Sequence, residues 1–315
     1  RLTPVVPPGV SRPGLRQAAT WLTRRSARAA VRRLGGRVHA VVAATLTDAF
    51  GALGESRRVL YATDDFVAGA ELMGVSAGWL RRQQDRVLAG VDTVVTVSAT
   101  LTADWQARGA QVVQIPNGVD AELFAGTDRA PVPDDVDLPR PVVGFVGHLS
   151  ERIDLAVLEA VADRGHSLLL VGPRQMTFDL ARMDALLARP NVCWVGAKPF
   201  DRLPSYLRVM DVGLLPYADS AFNRASFPLK VLEYLAAGRP AVATDLPAVR
   251  WLDTDLIAVG RDPAGVAAAV DRVLAASPDP ALVERRRRFA AEHSWDRRAA
   301  QFAEVLGLGP PLPSA

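Results

Sequence analysis

The chain has 315 residues, 49% of them hydrophobic and 23% charged, with a net charge of +3 and a mean hydropathy of +0.11. That apolar fraction excludes a disordered chain, and the length points to two domains with real cores. One cysteine, Cys193, excludes a disulfide framework; with no 18-residue apolar run and no signal peptide, a soluble intracellular protein is expected.

In chain order, the first predicted element is a helix over Leu15–Leu34, with Leu15, Ala19, Leu22, Ala30 and Leu34 along one stripe and six arginines elsewhere. Residues 1–60 carry eleven arginines against Asp48 and Glu55. An ordinary solvated basic face explains this, and so does a patch that meets anionic lipid. Nucleic acid fits less well, because no recognition module accompanies the charge. Arginine abundance alone carries no function here: only Lys198 and Lys230 are lysines, which with the alanine usage reflects a GC-rich coding bias.

Short valine-rich runs then predict strands at Val38–Ala43, Val59–Thr63, Thr93–Val97 and Val112–Ile115, with helical stretches at Leu80–Leu88 and Leu101–Arg108 between them. Ala125–Pro141, rich in Pro and Asp and aperiodic, reads as a linker. Beyond it the alternation restarts, with strands predicted at Val142–Val146, Leu168–Val171, Val192–Val195, Val212–Leu215, Ala241–Thr244 and Leu256–Val259. Apolar runs separated by helices indicate parallel sheets in doubly wound α/β layers. Two such domains bind ligands at the carboxyl ends of their strands.

Several short matches are weaker. Gly74-Val75-Ser76-Ala77-Gly78 fits the G-x-S-x-G elbow of serine hydrolases, but Phe66–Met73 makes a poor preceding strand, so a serine esterase through Ser76 is a distant alternative. Asp253-Thr254-Asp255 resembles a metal-holding D-x-D pair, yet a turn before a strand wants aspartates anyway. No metal site and no cofactor are expected. Of the four histidines, His39 and His166 read as structural, and only His148, in a strand-to-helix loop, is placed to meet a ligand.

The informative stretch is Asp211–Arg250, which reads strand, loop, helix, Gly turn, strand. Ser226 is placed to cap the helix, Pro228 is tolerated in its first turn, and Gly238 ends it. The helix start offers N–H groups and partial positive charge to a phosphate. Lys230 and Glu233, three apart, share a face. They suit a cation beside a diphosphate and a carboxylate for ribose hydroxyls, or equally a surface ion pair.

Ala225-Ser226-Phe227-Pro228-Leu229-Lys230-Val231-Leu232-Glu233-Tyr234-Leu235-Ala236-Ala237-Gly238-Arg239-Pro240-Ala241-Val242 resembles the E-G-F-G-L-x-x-x-E-A-M-A-x-G-x-P-V-V signature of the retaining glycosyltransferases of family 4. Ile115-Pro116-Asn117-Gly118-Val119-Asp120, the Val97-Ser98 pair before Leu101, and His293-Ser294-Trp295 resemble that family's hinge, its V-S-x-x-L and the start of its last helix. The resemblance implies an α/β GT-B fold of two facing Rossmann-like domains, the first incomplete at its N-terminus. Residues 1–130 would form the acceptor side, with the last helix, about 296–308, packing back on it. Residues 140–295 would bind the nucleotide sugar.

It implies transfer of a hexose from a UDP-sugar or GDP-sugar with retention and without a metal, in cell-surface polysaccharide, glycolipid or natural-product glycosylation. By the same resemblance Glu233 holds the ribose, while Ser226, Phe227 and Leu229 line the diphosphate loop. Gly147 and His148 lie near the phosphates, and Lys198 lies where the base binds. Arg152 and Lys230 are the candidate cations for the leaving diphosphate, and Asp65, beside Asp64, is the candidate acceptor-side base. The acceptor is expected to be lipid-linked or membrane-proximal, with the Leu15–Leu34 helix at the inner membrane face. Two departures matter: Ala225 replaces the signature's first glutamate and Pro228 its glycine. They keep open a catalytically silent nucleotide-sugar-binding or scaffold protein.

Overall fold

The structure, a computed structural model, describes residues 3, 14–46 and 50–309; Asp48, counted in the basic N-terminal charge balance above, lies outside them. The chain forms two compact units, one running through Pro116 and resuming at Ala300, the other spanning Asn117–Ala299. Each contains its own parallel sheet.

The first unit begins with α1 (Leu15–Leu34), followed by β1 (Ala40–Ala43) and β2 (Arg57–Ala62). Then come α2 (Ala77–Leu88), β3 (Thr93–Thr96), α3 (Ala99–Ala107) and β4 (Val112–Gln114). The strands lie in sequence order, as short crossovers dictate. Of the apolar stripe on α1, Ala19 is buried and Leu22 and Ala30 are half-buried, whereas Leu15 and Leu34 at the helix ends are exposed. Ser76 caps α2 by accepting from the Trp79 N–H at 3.4 Å, and turns rather than a strand precede it. The nucleophile elbow is thereby overturned.

The second unit opens with α4 (Ala121–Ala125), a single 3-10 turn (Thr127–Arg129), β5 (Val142–Val146), α5 (Leu155–Asp163) and β6 (Ser167–Val171). It continues through α6 (Leu180–Leu187), β7 (Val192–Trp194), α7 (Leu203–Val209), β8 (Val212–Leu215), α8 (Ala221–Ala225) and α9 (Leu229–Ala236). β9 (Ala241–Thr244), α10 (Pro247–Trp251), β10 (Ile257–Gly260), α11 (Pro263–Ala275) and α12 (Pro280–Ala291) complete it. α13 (Trp295–Val305) starts in this unit and ends in the first. There Phe302, Val305 and Leu306 pack on Val59, Val95 and Ile115. Among the described residues no helix is long and apolar enough to cross a membrane.

The stretch expected as a linker, Ala125–Pro141, lies inside the second unit. Its anchors explain why: Thr127 is buried and donates to the Phe124 carbonyl at 2.7 Å, and Asp135 accepts from Lys198 and Tyr206. The chain crosses between units at Pro116–Asn117 instead. Just beyond that point the Val119 N–H donates to the His293 carbonyl and the Trp295 N–H to the Val119 carbonyl. A Cβ at Gly118 would collide with the Trp295 backbone, so the close approach requires glycine.

The second sheet runs β10-β9-β8-β5-β6-β7, so its order reverses between β5 and β8. These two pair only at Val143–Val212 and Gly144–Gly213, and then diverge. Two backbone groups are left between them. Tyr234 of α9, fully buried, fills the gap: its hydroxyl accepts from the Val146 N–H at 3.0 Å and donates to the Leu214 carbonyl at 3.1 Å. A Cβ on Gly213 would lie inside the Tyr234 ring, so this glycine admits the side chain. Tyr234→Phe would strand both backbone groups in a dry site. Denaturant unfolding should show a loss of about 1–3 kcal/mol, and an unchanged midpoint would show that the hydroxyl does not hold the strands.

Candidate functional site

The crevice where a sheet's order reverses, at the strands' carboxyl ends, is where open α/β sheets bind ligands. The segments that flank this reversal are the loop after β5, the loop after β8 and the start of α9. In the first of these Gly147 donates its N–H to the Val171 carbonyl at 2.8 Å. Gly172 has φ +145 and packs so closely on the Gly147 carbonyl that any side chain there would overlap it. His148, next along, is exposed.

Arg152 joins the two loops. Its Nε donates to Asn223 Oδ1 at 3.0 Å, and its carbonyl accepts from Asn223 Nδ2 at 2.8 Å. The guanidinium lies 4.7 Å from the Tyr217 ring centroid and 4.9 Å from that of Phe222. These two rings hold the cation in one place. Asn223 is buried with its amide fully used, its second donor going to the Ala218 carbonyl at 2.9 Å. Its remaining partners leave the Nη groups of Arg152 without a hydrogen bond among the described residues.

Ser226 does not cap α9, contrary to expectation. Its hydroxyl donates back to the Phe222 carbonyl at 2.9 Å and its N–H does the same at 3.0 Å, so it closes α8; the position before α9 is Pro228. Proline fixes the approach to the helix two residues after Ser226, which puts the serine out of capping range. Gly238 does terminate the turn after α9 in the left-handed conformation, at φ +75. Phe227 is buried edge-to-face against Trp251, Leu229 is half-buried, and among the described residues neither the Phe227 nor the Lys230 N–H has a backbone acceptor.

Glu233 is 2% exposed, and Lys230 Nζ contacts both of its oxygens, at 3.1 and 3.0 Å. Burial pushes the Glu233 carboxyl above the usual carboxylate range, and the ammonium pulls it back. Burial likewise pushes the Tyr234 hydroxyl up, which keeps it a neutral donor.

The other predicted residues lie elsewhere. Lys198 binds Asp135 Oδ2 at 2.5 Å beside the Tyr206 ring, so its ammonium is committed to an ion pair. Asp65 belongs to the first unit, where its Oδ1 accepts from the N–H groups of Val67 and Ala68 at 3.0 and 2.9 Å. Asp255 of the D-x-D match pairs with Arg285, and Asp253 adopts φ +43. Sequence reasoning missed Tyr234, Asn223 and the Tyr217–Phe222 clamp. Tyr234 was legible only as a tyrosine where the resembled signature has alanine.

Residues 140–276 match the sequence profile of the family described as Glycosyl transferases group 1. The putative teichuronic acid biosynthesis glycosyltransferase TuaH of Bacillus subtilis is 31% identical over 204 residues, 63% of this chain and 51% of that protein. D-inositol 3-phosphate glycosyltransferase of Acidothermus cellulolyticus is 29% identical over 253 residues, covering 67% and 53%. The chain thus spans about half the length of the curated relatives it matches. Sucrose-phosphate synthase from Thermosynechococcus elongatus superposes with a TM-score of 0.71 at 19% identity, over 91% of this chain and 77% of that one. Anabaena HepE, solved with UDP and glucose, gives 0.71 at 16% identity, over 96% and 84%. Residues 140–276 are thus similar to the group 1 glycosyl transferases, and the chain has an α/β fold of the GT-B type.

The buried pair yields a prediction. Because burial favours protonated Glu233, the cost of losing its counter-ion is full where the carboxyl is ionised and falls as pH drops through its raised pKa. Lys230→Met should destabilise the protein by about 2–3 kcal/mol at pH 8 and by clearly less at pH 5. Equal losses at both, read by chemical denaturation, would show that the pair does not hold the charge.

Proposed function

We propose that the protein is a retaining hexosyltransferase that moves a sugar from a UDP-sugar or GDP-sugar to an acceptor in cell-surface polysaccharide, glycolipid or natural-product glycosylation. The observation that carries this reading is the Lys230–Glu233 pair at the start of α9, beside the reversal of the sheet. A buried carboxylate there accepts from two ribose hydroxyls. The N–H groups of Phe227 and Lys230 supply donors for the diphosphate, with Gly147 and His148 in the loop after β5. The backbone about Lys198 flanks the base.

Breaking the bond between sugar and phosphate builds negative charge on the leaving diphosphate, and fixed cations and dipoles stabilise that charge. Arg152, held between two rings, and Lys230 are the cations in this reading, and they need no metal ion beside them. Front-face transfer lets the leaving phosphate oxygen take the acceptor's proton, which accounts for retention without a dedicated base. Asp65 then serves as a hydrogen-bond acceptor for the incoming hydroxyl, a role that Asp65→Asn would test. The Bacillus subtilis relative, named for teichuronic acid biosynthesis, supports the polysaccharide among these acceptor classes.

A lipid-linked acceptor accords with α1. Trp21, Arg25, Arg28 and Arg32 fall on one outer stripe, with Trp21 57% exposed and the Arg25 guanidinium 5.4 Å from its ring centroid. We assign this stripe to peripheral contact with the anionic inner membrane face. Charge reversal at Arg25 and Arg32 should lower co-sedimentation with phosphatidylglycerol vesicles by about tenfold or more. Unchanged co-sedimentation would remove the membrane contact.

The second reading, a silent nucleotide-sugar-binding protein, is favoured by one observation: Ala225, in place of the signature's first glutamate, is buried and offers no carboxylate. Titration with UDP, GDP, ADP and TDP tests the site itself. One nucleotide should bind, and Glu233→Ala should weaken it by about 1.5–3 kcal/mol, the range for hydrogen bonds to a charged group. Absence of binding by all four would empty the site. Binding without release of free sugar from any donor would leave the silent reading in possession.

A further inference from the structure

A second cavity opens at the other end of the sheet, independent of the site above. Its volume is about 560 Å³, and its lining includes Pro141, Asp211 and Pro240, which precede β5, β8 and β9, together with the loop between α11 and α12. Pockets of roughly 300–1,000 Å³ are of the size that holds small organic ligands. Three guanidiniums line it: Arg239, Arg286 and Arg287.

The charges around it are unequally matched. Arg239 pairs with Asp128 at 2.8 Å, and Arg287 pairs with the same aspartate and with Glu284. The lining carboxylates are already engaged: Asp211 accepts from Arg140 and the Val142 N–H, and Asp279 accepts from the Ala281 N–H. Arg286 has no carboxylate within ion-pair distance among the described residues. Among those residues its one hydrogen bond runs from Nη1 to the Gly238 carbonyl at 3.3 Å, and its buried Nε has no partner. A half-buried guanidinium without a direct ion-pair partner is costly, and a stability role alone would be served by an aliphatic side chain. Burial acts most strongly against its charge, the nearby Asp279 carboxylate offsets part of that, and the neighbouring Arg239 adds to it.

We propose that this cavity is a binding site for a small phosphate-bearing molecule, with Arg286 as its principal anion ligand. Arginine's planar fork suits phosphate oxygens, and Arg239 and Arg287 add positive field beside it. Val273, Leu274, Leu282 and Val283 give an apolar wall for the rest of such a molecule, since the cavity exceeds what phosphate alone would fill. Gly238 lies two residues beyond the last residue of α9, the helix that carries Lys230 and Glu233. A ligand gripped there stands at the far end of α9 from the start of the crevice.

The test is calorimetric titration of the full chain with inorganic phosphate and with glucose 6-phosphate, using glucose as the uncharged control. Arg286→Gln should weaken both phosphates by about ten- to a hundredfold, as expected for loss of a charge-assisted hydrogen bond. Ser277→Glu, a change at an exposed lining residue, should weaken them too without disturbing the core. Arg286→Gln should leave UDP titration unchanged, which separates this cavity from the crevice. Stronger binding of glucose 6-phosphate than of phosphate would identify an organic phosphate as the ligand, and equal binding the free ion. Absence of phosphate binding, or binding that survives both Arg286→Gln and Ser277→Glu, would overturn the proposal.

Discussion

The second unit depends on how two central strands part. β5 and β8 pair through Gly144 and Gly213 and then diverge, which exposes backbone groups in the middle of a buried sheet. One phenol, that of Tyr234, satisfies both. The same helical turn places Glu233 next to it, so the residue that bridges the parted strands also fixes the position of the buried carboxylate. Packing and site chemistry are therefore one constraint on α9. This is why a bulky tyrosine in the helix is matched by a glycine on the strand.

The parting also sets the two loops. Once the strands diverge, the segments after β5 and β8 run beside each other, with an isolated bridge between Ile153 and Tyr217. Asn223 ties them by using its whole amide on Arg152 and Ala218. Arg152 then has two ring faces and one hydrogen bond to fix its position. A side chain that would otherwise sample many rotamers is ordered before any ligand arrives, and such preorganisation makes a cation effective at a developing charge.

The strands were legible because parallel strands buried on both faces read as uninterrupted valine and leucine runs; Val142–Val146, Val212–Leu215 and Ala241–Thr244 agree with β5, β8 and β9 to the residue. Long-range ties were not legible. Asp135 carries no local signal that it anchors on Lys198 and Tyr206, so composition alone made a linker of a segment that packs. Ser226 looked like a helix cap because capping residues are recognised by type. Which helix a serine serves depends on the backbone path, and Pro228 sends that path past it. Lys230 and Glu233 were legible as a pair from their spacing, but their burial was not, since Lys–Glu pairs three apart also populate solvent faces.

The central claim is that α9 presents a nucleotide site built by the parting of β5 and β8. The most direct measurement is an experimental structure with UDP or GDP bound, whichever titration selects. The account predicts ribose hydroxyls within hydrogen-bond distance of Glu233 and the diphosphate at the first turn of α9, near Arg152, with the Tyr234 hydroxyl still joining Val146 and Leu214. A nucleotide seated away from Glu233, or a Tyr234 hydroxyl released from both strands, would contradict it.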